Sequence, residues 1–342
     1  MEHFPSQESG REDKESCEYE ASLEAISSLL DAPPDLLATF QDRLAEAAGH
    51  LRISVHPLFT EQRPKSTRGK LGSESLESVQ AQLREAFLKT IIDTEQCPLT
   101  RLESTNATEM AKVLENSYRA MNIAFVVEWS RFAEEAGVDL YAVVNAIRQR
   151  PTHANLMYPG IGVGGYCLTK DPLLASWSRQ ELFGAEAGLN HSENAVRVND
   201  LMPLYAYEFL RNQYGDLHEV CVLLLGVSYR GEVGDTRFSP VDRFYDCLEA
   251  DGASLILHDP YVPHWPEKKE DVHQSLKDAL AENPQVVVIS TGHQIYSAKE
   301  TVEALMIRDG LFIYDTIGVL SAEQIVRLRQ KHTVKVLGRG DL

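Results

Sequence analysis

Cys167, Lys170 and Asp171 stand within five residues of one another, directly after a run of glycines, in P-G-I-G-V-G-G-Y-C-L-T-K-D-P (159–172). A thiol beside a fixed positive charge ionises more readily, and the thiolate is the nucleophilic form. The lysine and the carboxylate can stabilise an oxyanion or move a proton. Gly160, Gly162, Gly164 and Gly165 let the backbone come close to a ligand and reach positive φ. The same residues also fit a plainer picture, a buried cysteine in a glycine-rich turn followed by a solvated charge pair.

Two further groups bear on that chemistry. Lys112 and Asn116 are four residues apart, so on a helix they share one face; taken alone they fit a solvated face better. The stretch G-V-S-Y-R-G-E-V-G-D-T-R (226–237) carries Arg230 and Arg237, whose guanidinium groups suit a pyrophosphate through charge-assisted hydrogen bonds. The alternative there is a surface loop closed by an Asp235–Arg237 contact. Gly160, Gly162 and Gly165 formally satisfy G-x-G-x-x-G. That pattern binds a dinucleotide only between a strand and a helix. Here the preceding P-T-H-A-N-L-M-Y-P is polar and bracketed by Pro151 and Pro159, and Cys167 and Pro172 follow, so the fingerprint is rejected.

The elements that must position these groups fall into two kinds. From Asn106 apolar residues recur at helical spacing for almost 30 residues, closed by Gly137 as a C-terminal cap, with Asn106 or Thr108 as the start. Such a long, largely apolar helix crosses a domain or packs against a copy of itself. Helices over 139–149, 172–183 and 190–214 complete an all-α middle region. Near 218 the pattern changes to short apolar runs alternating with helices: E-V-C-V-L-L-L-G, a helix from Ser239 or Pro240 to Gly252, A-S-L-I-L-H-D, a helix near 272–282, Q-V-V-V-I-S-T, L-F-I-Y-D, a helix at 321–331 and V-K-V-L-G. That alternation predicts a parallel, doubly wound α/β sheet. Ligands sit beyond the carboxyl ends of such strands, which gathers Gly226–Arg237, Asp259, Thr291–His293 and Asp315–Gly318 around one crevice. Before Asn106, residues 1–20 read as a disordered tail; 21–50 and 77–92 carry helical spacing, and 51–55 reads as a short strand.

Bulk properties narrow the function. A chain of 342 residues is long for one core, so more than one domain is expected. The net charge of −18 argues against nucleic acid and anionic membrane surfaces as partners, though local cations can still hold a nucleotide. Five scattered cysteines (17, 97, 167, 221 and 247) form no CxxC pair, so neither a zinc site nor a disulfide framework is expected, and a reducing cytoplasm fits. No stretch has the length and apolarity of a membrane span.

In order along the chain, E-M-A-K-V-L-E-N-S-Y-R-A-M-N-I-A, P-G-I-G-V-G-G-Y-C-L-T-K-D-P, N-A-V-R-V-N-D-L-M-P, G-V-S-Y-R-G-E-V-G-D-T-R-F-S-P and H-D-P-Y-V resemble the UDP-glucose/GDP-mannose dehydrogenase family. The resemblance runs over residues 105–340. It implies a helical central domain (105–216) that dimerises through the 108–136 helix, and a Rossmann-like C-terminal domain (217–342) that holds a nucleotide sugar. The activity it implies is NAD-dependent oxidation of a sugar C6 alcohol to a carboxylate. Cys167 then matches the nucleophile that holds the carbon as thiohemiacetal and thioester. Lys112, Asn116 and Asp171 match the groups that position water and stabilise the oxyanion, and Lys170 stands where the family often has a lysine. Gly162, Gly164, Gly165 and Tyr166 would line the sugar phosphate, while Arg230 and Arg237 match substrate-contacting positions.

The chain also departs from the family. The strand–GxGxxG–helix unit that binds NAD near the family's N-terminus has no counterpart, so 21–104 reads as a divergent remnant of that domain. In S-V-H-P-L-F (54–59) Leu58 follows Pro57 where the family has a glutamate that assists thioester hydrolysis. Ile317 stands where the family often has an arginine. These departures leave open a relative that binds a nucleotide sugar, or pairs with an intact dehydrogenase, without oxidising its ligand.

Overall fold

A single serine starts the longest element among the described residues. In the computed structural model, which describes residues 87–89, 93–94 and 98–342, Ser104 is extended and its Oγ accepts the Ala107 N–H at 3.2 Å. Helix α1 (Thr105–Ala136) follows. The cap is therefore Ser104 and not Asn106 or Thr108. Thr108 is inside the first turn, where its hydroxyl donates to the Ser104 carbonyl, and an extended Ser is the better acceptor for a free first-turn N–H. Gly137 ends the helix in the left-handed region (φ 70°), as expected.

The chain divides after Leu102, and Glu103–Leu342 make one compact unit. The tail, the helical stretches over 21–50, the strand at 51–55 and Leu58 lie outside the described residues. Of the helix read over 77–92 only 87–89 are described, and they are helical; of the remnant read over 21–104 only 87–89, 93–94 and 98–104 are described. Within the unit, α2 (Leu140–Arg148), α3 (Tyr166–Glu181) and α4 (Asn190–Tyr214) complete the helical part. Helix α3 begins six residues earlier than the pattern predicts. Proline is compatible with a helix interior only at the loss of one backbone hydrogen bond, so Pro172 reads as a start although it sits in the second turn. The Thr169 hydroxyl donates to the Gly165 carbonyl at 2.7 Å and secures that first turn.

The remaining residues form β1 (Cys221–Leu225), α5 (Pro240–Ala250), β2 (Ser254–His258), a small hairpin of β3 (His264–Trp265) and β4 (Glu270–Asp271), α6 (Leu276–Ala281), β5 (Val286–Ile289), α7 (Lys299–Met306), β6 (Phe312–Asp315), α8 (Ala322–Leu328) and β7 (Thr333–Val336). The sequence analysis expected neither the hairpin nor α7: two-residue strands have no period, whereas α7, at 8 residues, is longer than α6 and α8, which were expected. Five strands pair in parallel in the order β2-β1-β5-β6-β7, with Leu223 between Ile256 and Val287. The chain thus runs outward from β1 to β2, then returns to the other side of β1 as β5. This reversal is the switch point at which such sheets open a crevice.

Both sheet faces are covered, which explains the apolar runs of the inner strands β1, β5 and β6. One face packs Val222 and Leu224 against Met202 and Leu210 of α4 and Phe244 and Leu248 of α5. The other packs Leu223 and Val287 against Leu280, Leu305 and Leu328 of α6, α7 and α8. Because α4 is both a member of the helical part and a cover for the sheet, it fixes one to the other. Backbone bonds at the end of the chain add to this: Leu140 N donates to the Gly338 carbonyl (3.0 Å), and Gly338 N donates to Glu134 Oε1 (2.6 Å). Burial pushes the Glu134 carboxyl up, against the hydrogen bonds from Tyr205 and Gly338.

Candidate active site

Cys167 lies in the first turn of α3 rather than in a loop, and it is exposed. The buried cysteine of the plainer picture is absent. The rejection of the dinucleotide fingerprint stands on one of its two grounds: a helix does follow the glycines, but Pro151–His153 is a 3-10 turn and no strand precedes them. Gly165, at φ 78°, takes the N-cap position, and no side chain caps the helix. The first N–H groups of α3 are therefore free to meet an anion, with the positive end of a 16-residue helix behind them.

Four of the candidate residues form a continuous chain of polar contacts. Lys112 Nζ donates to Asn116 Oδ1 at 3.4 Å along α1. Asn116 Nδ2 donates to Asp171 Oδ2 at 2.6 Å, across to α3. Lys170 Nζ lies 3.7 Å from Asp171 Oδ1 and 5.5 Å from the Tyr166 ring. Asn116 is 1% and Asp171 8% exposed, so this is no solvated helix face. Asp171 is one helical turn beyond Cys167, which sets the buried pair on the thiol's side of α3.

The glycines have a packing reason of their own. A Cβ on Gly164 would come within 2.5 Å of Tyr229 Cβ and 2.6 Å of the Phe238 carbonyl; one on Gly165 would meet the Tyr229 ring at 2.8 Å. Gly165 N donates to the Arg237 carbonyl at 3.3 Å, and Tyr166 meets Phe238 edge to face at 5.0 Å. The run 162–165 is thus the seat of the loop that follows β1. That loop carries Arg230, exposed and without an ion pair among the described residues, and Arg237, held by Asp235 through Nε–Oδ1 at 2.9 Å and Nη2–Oδ2 at 2.7 Å. The Arg237 hydrogen bonds draw the Asp235 carboxyl below its usual range. The Asp235–Arg237 contact considered from the sequence is present, and it occupies one edge of the Arg237 guanidinium.

The crevice residues divide. Asp259, at the end of β2, is fully buried and accepts from Val227 N (2.9 Å), Ser228 N (3.2 Å) and Tyr261 N (2.9 Å). Burial raises its pKa, but the bonds from His293, Tyr261 and Val227 outweigh this and leave it lowered. Asp315 instead turns onto its own turn, accepting from Ile317, Gly318 and Leu320, and burial raises its pKa. Ile317 and Gly318 line a separate cavity of 430 Å³ with Tyr141, Tyr158 and Leu320; neither Cys167 nor its polar neighbours line it. Sequence reasoning passed over Glu232 and Tyr229. Glu232 adopts φ 63° without being glycine, a conformation that no residue type announces.

No group of His, Cys, Asp and Glu with metal-site geometry occurs among the described residues, and no helix among them is long and apolar enough to cross a membrane. Nor do they furnish a dinucleotide cradle. The turn after β1 is 14 residues long (226–239) and leads to α5 without a G-x-G-x-x-G run.

Comparison with known proteins agrees with this geometry. Residues 106–200 match the central domain of the UDP-glucose/GDP-mannose dehydrogenase family, and 223–322 match its UDP binding domain. A UDP-N-acetyl-D-mannosamine dehydrogenase of Pyrococcus horikoshii is 34% identical over 199 residues, 56% of this chain and 44% of the relative. An NDP-N-acetyl-D-galactosaminuronic acid dehydrogenase of Ralstonia nicotianae is 27% identical over 218 residues, covering 64% and 49%. Among solved structures, UDP-D-ManNAc dehydrogenase from Pyrococcus horikoshii superposes with a TM-score of 0.62 at 26% identity, over 77% of this chain and 58% of that one. NDP-N-acetyl-D-galactosaminuronic acid dehydrogenase from Methanosarcina mazei gives 0.62 at 25%, over 70% and 52%. The chain spans about half the length of these curated relatives. With both domains matched in order, and the cysteine helix and the loop after β1 packed together, the chain belongs to the UDP-glucose/GDP-mannose dehydrogenase family.

Proposed function

We propose that this protein oxidises the C6 alcohol of a UDP- or GDP-sugar to the carboxylate, with Cys167 as the nucleophile. The observation that carries the proposal is an exposed thiol in the first turn of α3, one turn from the buried Asn116–Asp171 pair. NAD, the expected hydride acceptor in this family, would be used as two molecules per turnover, one for the hydride of the alcohol and one for that of the thiohemiacetal. The chain's own residues supply the rest. Cys167 Sγ adds to the aldehyde carbon to give the thiohemiacetal, and after the second oxidation the carbon is held as a thioester. Water then adds to it, Sγ leaves, and the carboxylate is released with a proton. At each addition the carbonyl oxygen becomes negative. The free N–H groups of α3 and the ammonium groups of Lys112 and Lys170 favour that charge, while Asp171, held by Asn116, is placed to take a proton from water.

Arg230, Arg237 and the backbone of 162–165 are the proposed contacts for the diphosphate, and Tyr166 for the sugar. The partner is a second copy of the chain, joined along α1. NADH formation from NAD with UDP-N-acetyl-mannosamine, UDP-glucose or GDP-mannose, followed by absorbance, tests the reading. We expect Cys167→Ser to abolish it. A second reading, nucleotide-sugar binding without oxidation, draws on the absence of a dinucleotide cradle among the described residues. It is favoured if UDP raises the melting temperature while no NADH forms and calorimetry detects no NAD binding.

A further inference from the structure

We propose that His293, acting with Asp259 and Glu232, is a positioning residue that fixes Arg230 for the diphosphate of the nucleotide sugar; this rests on the nucleotide-sugar reading above. Arg230 has an exposed guanidinium with no ion pair among the described residues, yet its backbone is clamped two residues to either side. On one side Ser228 N donates to Asp259 Oδ2 (3.2 Å), and the Ser228 carbonyl accepts from Thr291 Oγ1 (2.8 Å). On the other, Glu232 N donates to His293 Nδ1 (3.0 Å), and the Glu232 carboxylate accepts from Tyr261 Oη (2.8 Å) and Gln294 N (2.8 Å). These bonds hold Glu232 at φ 63°, a conformation costly for a residue with a side chain. Between the clamps, a Cβ on Gly231 would collide with the Gly292 carbonyl oxygen, so the two backbones touch.

His293 joins the two clamps. Because Nδ1 accepts from Glu232, the neutral ring carries its hydrogen on Nε2, where Ser228 Oγ (3.0 Å) and Asp259 Oδ2 (3.2 Å) receive it. Ser228, Asp259 and His293 are all buried, at 1%, 0% and 0% exposure. A buried network that closes on both sides of one exposed, unpaired cation reads as preorganisation: the loop's ordering cost is met before the anion arrives. Nothing in it points to proton transfer, since both Ser228 and Asp259 address the same ring nitrogen.

The test is a calorimetric titration with UDP of the wild type, Arg230→Ala, His293→Ala, His293→Asn and the double variant Arg230→Ala/His293→Ala. Arg230→Ala is expected to weaken UDP about tenfold, the scale of one lost charge-assisted contact. His293→Ala should weaken it comparably, and the double variant should bind no more weakly than Arg230→Ala alone, because the histidine acts only through the arginine. His293→Asn, whose Oδ1 keeps an acceptor for Glu232 N, should recover most of the affinity. Equal losses from His293→Ala in both backgrounds, or no loss at all, overturn the proposal. If His293→Ala does not fold, Tyr261→Phe decides in its place: it removes only one hydroxyl from an exposed side chain, and the same dependence on Arg230 is required. Wild type that binds UDP with Arg230→Ala unchanged overturns this inference alone; wild type that does not bind UDP overturns the nucleotide-sugar reading beneath it as well.

Discussion

Asn116 and Asp171 depend on each other inside the fold. Removing the amide leaves a carboxylate at 8% exposure without its 2.6 Å partner, so Asn116→Ala should cost about 1–3 kcal/mol of stability in denaturant titration. If the pair serves the reaction, NADH formation should fall far more than that loss of folded protein explains. A second residue-scale prediction concerns His258. Burial lowers its pKa to about 4 from 6.5. The unfolded chain therefore binds the proton first as pH falls below 6.5, and the stability from a neutral His258 is lost progressively toward pH 4. Between pH 7 and pH 5 this amounts to about 2 kcal/mol. Glu134 and Asp315, with raised pKa values, act in the opposite sense, so the measurement is the difference in pH slope between wild type and His258→Gln, which should be flatter. At this scale spacing put Cys167, Lys170 and Asp171 together and Lys112 and Asn116 on one helix face, and only the family resemblance gave them catalytic roles. Glu232 went unseen because its conformation is imposed by His293, Tyr261 and Gln294, all distant in sequence.

Elements explain why the glycines are where they are. Gly164 has no room for a Cβ beside Tyr229 and Phe238, whereas the nearest atom to a Cβ on Gly160 is 3.9 Å away. Gly164→Ala should lower the melting temperature by several degrees and weaken UDP binding, because the loop after β1 must lift off α3. Gly160→Ala should leave both within error, and thermal melts with and without UDP measure the pair. The inner strands β1, β5 and β6 were legible because burial on both faces writes apolar runs, while the edge strands β2 and β7, exposed at Ser254 and Thr333, keep shorter ones. The start of α3 was not, since Pro172 speaks as a boundary in sequence and is tolerated as an interior residue in the fold. The hairpin around Trp265 carries too few residues for a period to form.

At the scale of the whole molecule, one helix face has no partner of its own among the described residues. Met110, Leu114, Tyr118, Met121, Phe125 and Trp129 recur every three or four residues along α1 and are all exposed, Phe125 to 56%. The opposite face buries Ala120, Ala124 and Val127 against α4. A stripe this long suits a copy of itself. Light scattering on the purified chain should therefore give a dimer, and Phe125→Glu should give a monomer with an unchanged far-ultraviolet spectrum. A monomeric wild type would remove the dimer from the proposal. The long helix was plain in the sequence; which of its faces stayed bare depended on where α3 and α4 docked, which no local pattern records.

The account turns on Cys167 sitting where the sugar of a UDP-sugar binds, and alkylation tests this without any need for NAD. Iodoacetamide labelling of Cys167, followed by peptide mass spectrometry, should be slowed at least several-fold by saturating UDP-N-acetyl-mannosamine or UDP-glucose, while Cys221 and Cys247 label at their former rates. A UDP-sugar that binds by calorimetry yet leaves the Cys167 rate unchanged would contradict it.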